Sequence, residues 1–153
     1  MRALVLLFLI LLSTRAAAEV CPWLNAATAG GVLGGPVTNV TITRAHAGDD
    51  ATCEFIRHDG SLLLDLRIEV ETMPSPARDF ASYAARCHSS AQPLKAIGNE
   101  ALACNDEGAG QIVGRVRDRA FVVRISTSDR SAKPGALSEK ARKIAEQVAG
   151  ILF

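Results

Sequence analysis

Residues Ser61 to Glu71 read SLLLDLRIEVE. Leu62, Leu64, Leu66, Ile68 and Val70 fall on one parity, and Leu63, Asp65, Arg67, Glu69 and Glu71 on the other. Successive side chains of a strand point to opposite faces, so this alternation predicts a strand with one dry face and one wet face. Such a strand belongs in an antiparallel sheet covered on its dry side.

The neighbouring segments extend that sheet. Ala51 to Arg57 carries Cys53 and Phe55 on one parity, and His58-Asp59-Gly60 supplies a D-G turn into the long strand. A simple register places Phe55 opposite Leu64, Cys53 opposite Leu66, and Glu54 opposite Asp65, a like-charge pair. Val37 to Arg44 is rich in β-branched residues and predicts a further strand. Before it, Leu24 to Gly35 predicts a short helix, with Asn25 as N-cap and Gly34-Gly35-Pro36 as its stop.

Downstream, Met73-Pro74 breaks the long strand, and Ser75 with Pro76 opens a second helix. Phe80, Ala84 and Cys87 lie along one stripe of it, and Ser89 to Pro93 ends it. Ile97 to Cys104 leads into a fourth strand, and Asn105 to Gly110 reads as a loop. Gln111 to Arg117 and Ala120 to Ser126 form a second hairpin about Asp118-Arg119, in which Ile112 meets Ile125 and Val116 meets Phe121. Leu137, Ala141, Ile144, Val148, Ile151 and Leu152 then repeat at helical spacing.

The expected fold is α+β. It is a two-layer sandwich, a six-stranded mainly antiparallel sheet with three helices on one face, in the order αβββαβββα. The wet face carries Asp65, Arg67, Glu69, Glu71, Arg115, Arg117 and Arg124, with Leu63, Val113 and Val122 too few for a second core.

The first 18 residues have the plan of a secretory signal peptide. Arg2 gives a positive start, Leu4 to Leu12 is unbroken and apolar, and Ala16-Ala17-Ala18 offers a small-residue cleavage site. The apolar run is shorter than the ~20 residues that span a bilayer. Cleavage near Ala18 leaves residues 19–153 as one domain, periplasmic or secreted, with no transmembrane segment. The formal charge is +1, and the leader holds Arg2 and Arg15 without an acid, so the mature chain is near neutral. That balance argues against nucleic acid as a partner.

Four cysteines, Cys21, Cys53, Cys87 and Cys104, suit an exported chain with two disulfides, for which three connectivities exist. The expected pairing is Cys21–Cys53, which would tie down the new N-terminus, with Cys87–Cys104. No C-x-x-C is present, so zinc and thioredoxin-type chemistry are disfavoured.

Several short motifs together resemble a family of small, uncharacterised exported domains, many of them lipid-anchored, best known from actinobacteria. They are Cys21-Pro22-Trp23-Leu24 before a helix ending Leu33-Gly34-Gly35, Cys53-Glu54-Phe55 in a strand, Ile97-Gly98-Asn99-Glu100-Ala101 before a hairpin, and the closing amphipathic helix. The resemblance implies export and fold and brings no activity. Glu19 and Val20 depart from the small residues that a lipid-attachment signal at Cys21 requires.

Candidate sites are few. Arg115, Arg117, Arg119 and Arg124 offer an anion-binding face, and the competing reading is cross-pairing with Asp65, Glu69 and Glu71. Trp23 offers a stacking platform, against a plug over the first disulfide. His46 near Asp49 and Asp50, His58-Asp59, and Cys87-His88 are the only hydrolase candidates, and no G-x-S-x-G accompanies them. Adjacent helical residues diverge around the axis, which places Cys87 and His88 badly for sharing a proton. Asn105, Asp106 and Glu107 lack calcium-loop spacing.

The expected function is therefore a non-catalytic exported binding or interaction module, without cofactor or metal. Its contact surface would be the wet sheet face and the loops at 45–50 and 105–110. Its partner would be an envelope or extracellular component or a small anionic ligand. The alternatives are a small exported hydrolase using a loop histidine, and an inhibitor or accessory subunit of another exported protein.

Overall fold

The structure is a computed structural model and describes residues 20–44, 50–87, 91–106 and 108–153. The leader expected over 1–18 lies outside the described residues, as do His46, Asp49, His88 and Glu107. The elements in chain order are α1 (Ala26–Leu33), β1 (Asn39–Arg44), β2 (Ala51–Asp59), β3 (Leu62–Thr72), α2 (Pro76–Ala84), β4 (Gln92–Leu94), β5 (Glu100–Asp106), β6 (Ala109–Val116), β7 (Arg119–Thr127) and α3 (Pro134–Leu152). The strands make one open sheet in the order β1-β2-β3-β7-β6-β5-β4, with every neighbouring pair antiparallel.

The α+β class and the three helices stand, with seven strands in place of the expected six. The added strand is β4, in the segment read as the end of the second helix. It is a three-residue edge strand containing Pro93, and an edge is where a residue without a backbone N–H is tolerated. The loop expected at 105–110 is also absent, because β5 and β6 run on until Asp106 pairs with Ala109.

Both long hairpins pair two residues away from the simple expectation. Phe55 faces Leu66 and Cys53 faces Ile68, because the turn is Gly60-Ser61. Gly60 has φ 60° and takes the first position of the turn, as a type II′ hairpin requires. Glu54 consequently faces Arg67, which replaces the like-charge pair with an opposite-charge one. In the second hairpin Ile112 faces Val123 and Val116 faces Arg119, and the turn is Arg117-Asp118 with Arg117 at φ 54°. A shift of two leaves every side chain on its expected face, since the strand period is two.

The front face carries the main core. α1 lies over β2 and β3, and α3 over β5, β6 and β7. Leu33, Phe55, Leu66, Ile68, Phe121, Val123, Ile125 and Ile144 are all buried in one cluster between these layers. The caps of α1 are as expected. Asn25 Oδ1 accepts from the Thr28 N–H at 2.8 Å, and Gly34 closes the helix at φ 85°.

α2 does not join them, and the expectation of three helices on one face is corrected. Phe80 of α2 packs on the back of the sheet against Met73, Cys104, Val113 and Val122, a second small core. Two features place it there. Val113 pairs directly with Val122, giving an apolar patch that needs cover. Cys104 faces the back, and its disulfide to Cys87 ties the chain just beyond α2 to β5, with the Cα atoms 5.3 Å apart. Cys21–Cys53 is formed too, with Cα atoms 5.8 Å apart, so both expected pairings are present. No helix among the described residues is long and apolar enough to cross a membrane.

Candidate functional site

The two front helices cover different strands, and near the Gly60 turn a groove of about 370 Å³ opens between them. Small-molecule sites typically occupy about 300–1,000 Å³. Its floor is aliphatic. Leu62 and Leu64 come from the start of β3, Leu33 from the end of α1, and Leu137 and Ala136 from the first turns of α3. Leu33 and Leu137 are buried, Leu64 is half-buried, and Leu62 is 38 % exposed. These β3 leucines share the parity of the core. They stay partly open because the strand runs on beyond the helices that cover Leu66 and Ile68.

Charged groups ring this floor. Arg57 is fixed: its Nη1 donates to the Leu33 carbonyl at 2.7 Å and its Nη2 to Asp59 at 2.7 Å. A guanidinium at a helix C-terminus meets the negative end of the helix dipole, so Arg57 fastens α1 to β2. Asp129 accepts from the Ser131 N–H at 2.8 Å and its hydroxyl at 2.7 Å, and these bonds hold its carboxyl below the usual value. Lys133 and Lys140 also line the groove. Neither has an ion-pair partner among the described residues.

The back face is organised differently from the expected arginine cluster. Arg115 pairs with Glu100 at 2.7 Å and donates to the Arg117 carbonyl at 3.0 Å. Arg124 pairs with Asp106 at 3.4 Å. The valine patch under α2 lies between them, and Arg117 sits in the turn, so Arg115, Arg117 and Arg124 do not converge on one point. The cross-pairing with Asp65, Glu69 and Glu71 also differs in its members, since Glu69 takes Arg67 at 2.7 Å and Arg86 at 2.9 Å. Glu71 accepts a hydrogen bond from the Tyr83 hydroxyl. Burial first, and then that bond, push the Tyr83 hydroxyl up to about 12. Asp65 is half-buried with its Oδ1 unpartnered. Burial and then Glu54 raise its carboxyl above the usual value, against the opposing pull of Arg67 and Arg124.

Trp23 is buried at one end of the front core, 5 % exposed. Arg119 faces the front, not the back, with its guanidinium carbon 5.7 Å from the centre of the Trp23 ring. Arg119 also pairs with Asp50 at 3.1 Å, and Asp50 accepts from the Thr72 N–H at 2.9 Å. Trp23 and Arg119 thus close the end of the sandwich where β3 and β7 meet.

The catalytic candidates within the described residues are separated from their partners. His58 and Asp59 are consecutive in β2 and point to opposite faces, and Asp59 is held by Arg57. Cys87 is disulfide-bonded. Asn105 and Asp106 likewise alternate across β5, with Asp106 paired to Arg124. Among the described residues no three His, Cys, Asp or Glu side chains gather as a metal site.

Sequence reasoning did not find the groove. Its leucines obey the core alternation, and alternation carries no information about where cover ends. The available signal was the spacing of Lys133, Leu137 and Lys140, which puts two lysines beside an apolar position on one helical face. No protein-family model and no curated protein matches the chain.

Proposed function

We propose that the chain is an exported, non-catalytic binding module, released by cleavage near Ala18, and that the front groove is its ligand site. The observation that carries the reading is an aliphatic cavity of about 370 Å³ held between rigid elements, with two uncommitted lysines at its rim. Two disulfides accord with an oxidising compartment. All four cysteines are bonded, and the Tyr83 hydroxyl donates to Glu71. The likeness to small exported actinobacterial domains accords with export.

The test is a thermal-shift screen of the mature protein against small molecules, repeated on Ala136→Phe, which fills the groove from α3. Stabilising compounds should lose their effect in the variant. Hits indifferent to Ala136→Phe, or turnover of any compound, would overturn the proposal.

The open edge supports a second reading, an accessory subunit of another exported protein. β1 pairs only with β2 among the described residues and is exposed along most of its length, with Val40 40 % exposed. Such an edge can accept a partner's strand. A stoichiometric co-purifying protein, released by Thr41→Pro, would favour it.

A further inference from the structure

We infer that the groove takes a single-chain aliphatic carboxylate, a medium-length fatty acid. The inference rests on the groove being the ligand site. Three features of the lining select this chemistry. First, the floor is mainly aliphatic, built from Leu33, Leu62, Leu64, Ala136 and Leu137 with Thr127 beside Leu64, and no aromatic ring lines the groove. Sugars and nucleobases would find no stacking surface there, whereas a methylene chain gains from every apolar contact.

Second, the net charge on the rim is positive. Arg57 and Asp59 neutralise each other at 2.7 Å, and Asp129, whose carboxylate the Ser131 bonds keep ionised, is outnumbered by two lysines. Lys133 and Lys140 remain, the first just before α3 and the second within it, and both line the groove. Ammonium groups on flexible stems follow an anionic head without fixing its geometry, which suits a mobile carboxylate. Third, Lys133 stands at the N-cap of α3 and the helix begins at Pro134. The positive end of the helix dipole therefore adds to the same field.

In the bound state the carboxylate rests between Lys133 and Lys140, and the chain runs down over Leu137 and Leu64 toward Leu33. The floor is rigid, because Leu33 is held through Arg57 and Leu137 through the close seating of α3 on β6. Binding therefore needs little rearrangement.

The experiment is an amide NMR titration of the mature protein, below the micellar range, with hexanoate, octanoate and decanoate. Decyltrimethylammonium is the charge control and acetate the head-group control. Decanoate should shift the amides of Leu62, Leu64, Ala132 and Ala136 saturably. Affinity should rise about fourfold per added methylene until the groove is full. Decyltrimethylammonium and acetate should not saturate. Lys133→Gln combined with Lys140→Gln should weaken decanoate on the order of tenfold. The Lys133→Arg, Lys140→Arg pair should retain binding. Both lysines lie at the surface, so the amide spectrum without ligand verifies that each variant is folded.

Equal binding of decanoate and decyltrimethylammonium, or no loss in the glutamine variant, would overturn the ligand class. The groove itself would survive that result if Ala136→Phe abolished both. If no groove amide moves with any probe, the inference fails. The ligand-site reading then stands or falls on the thermal-shift screen alone.

Discussion

Gly110→Ala tests how tightly the seat of α3 on the sheet is determined. Gly110 lies in β6, between Asn105 of β5 and Ile125 of β7. A Cβ at this position would come within 2.5 Å of the Leu137 carbonyl carbon and Ser138 Cα. Carbon atoms rest at about 3.5–4.0 Å, so the helix would have to lift by about 1 Å. The obstructing atoms are helix backbone and cannot rotate aside. Lifting α3 loosens Leu137, Ala141 and Ile144, all of them buried. Overpacking a core costs about 1–3 kcal/mol, and a backbone obstruction places this substitution at the upper end, ~3 kcal/mol. At about 4 °C per kcal/mol for a domain of this size, Tm should fall by about 12 °C. The matched control is Gly31→Ala on the exposed side of α1, where a Cβ meets nothing within 4 Å. There alanine replaces a poor helix former, and Tm should rise by about 2–4 °C. Circular-dichroism melts of the oxidised proteins measure both. A Gly110→Ala protein melting within about 2 °C of the parent would refute the close seating of α3, and with it the shape of the groove wall.

Tyr83 is the only tyrosine in the chain, so tyrosinate absorbance reports it alone. Its native midpoint should lie near 12, and Glu71→Gln should lower it; a native midpoint at the ordinary 10.0 would contradict the partial burial of the ring and its bond to Glu71. The unfolded chain ionises first, so stability should decline as pH rises from about 10 toward 12. Asp65 has the opposite sign from a paired carboxylate. Its raised value means the native state holds the proton more tightly, a contribution complete below the unfolded 3.8 and lost as pH climbs through the native value. Asp65→Asn should therefore be more stable than the parent in urea at neutral pH, with the advantage vanishing under acid; equal stability at both pH values would show that Asp65 is not strained. Thiol titration of the denatured, unreduced protein should find no free cysteine. Replacing Cys21 and Cys53 together by alanine should cost roughly 3–4 kcal/mol in chemical denaturation, and an unchanged midpoint would argue against that bridge.

Which side chains stay accessible on this fold follows from cover rather than from residue type. The arginines at 115, 117 and 124 attract attention in the sequence, yet the sheet separates them and supplies carboxylates to Arg115 and Arg124. Leu62 and Leu64 read as ordinary core, yet the helices stop short of them. Both outcomes depend on where α1, α2 and α3 lie, which no local pattern in β3 or β6 encodes.

The sequence alone determined what is local or periodic. The alternation in β3 assigned its two faces, Asn25 and Gly34 delimited α1, Pro76 opened α2, and the helical repeat after Pro134 defined α3. These features survive because each depends on neighbours within a few residues, and an even slip in hairpin register leaves facing unchanged. Tertiary structure decided the rest: the exact pairing across the Gly60 and Arg117 turns, the edge strand around Pro93, the side of the sheet that α2 covers, and the gap above Leu62 and Leu64. Each of those is fixed by contacts between segments far apart in the chain, such as Cys87 with Cys104 or Gly110 with Ser138, and their energies are set only when the layers meet.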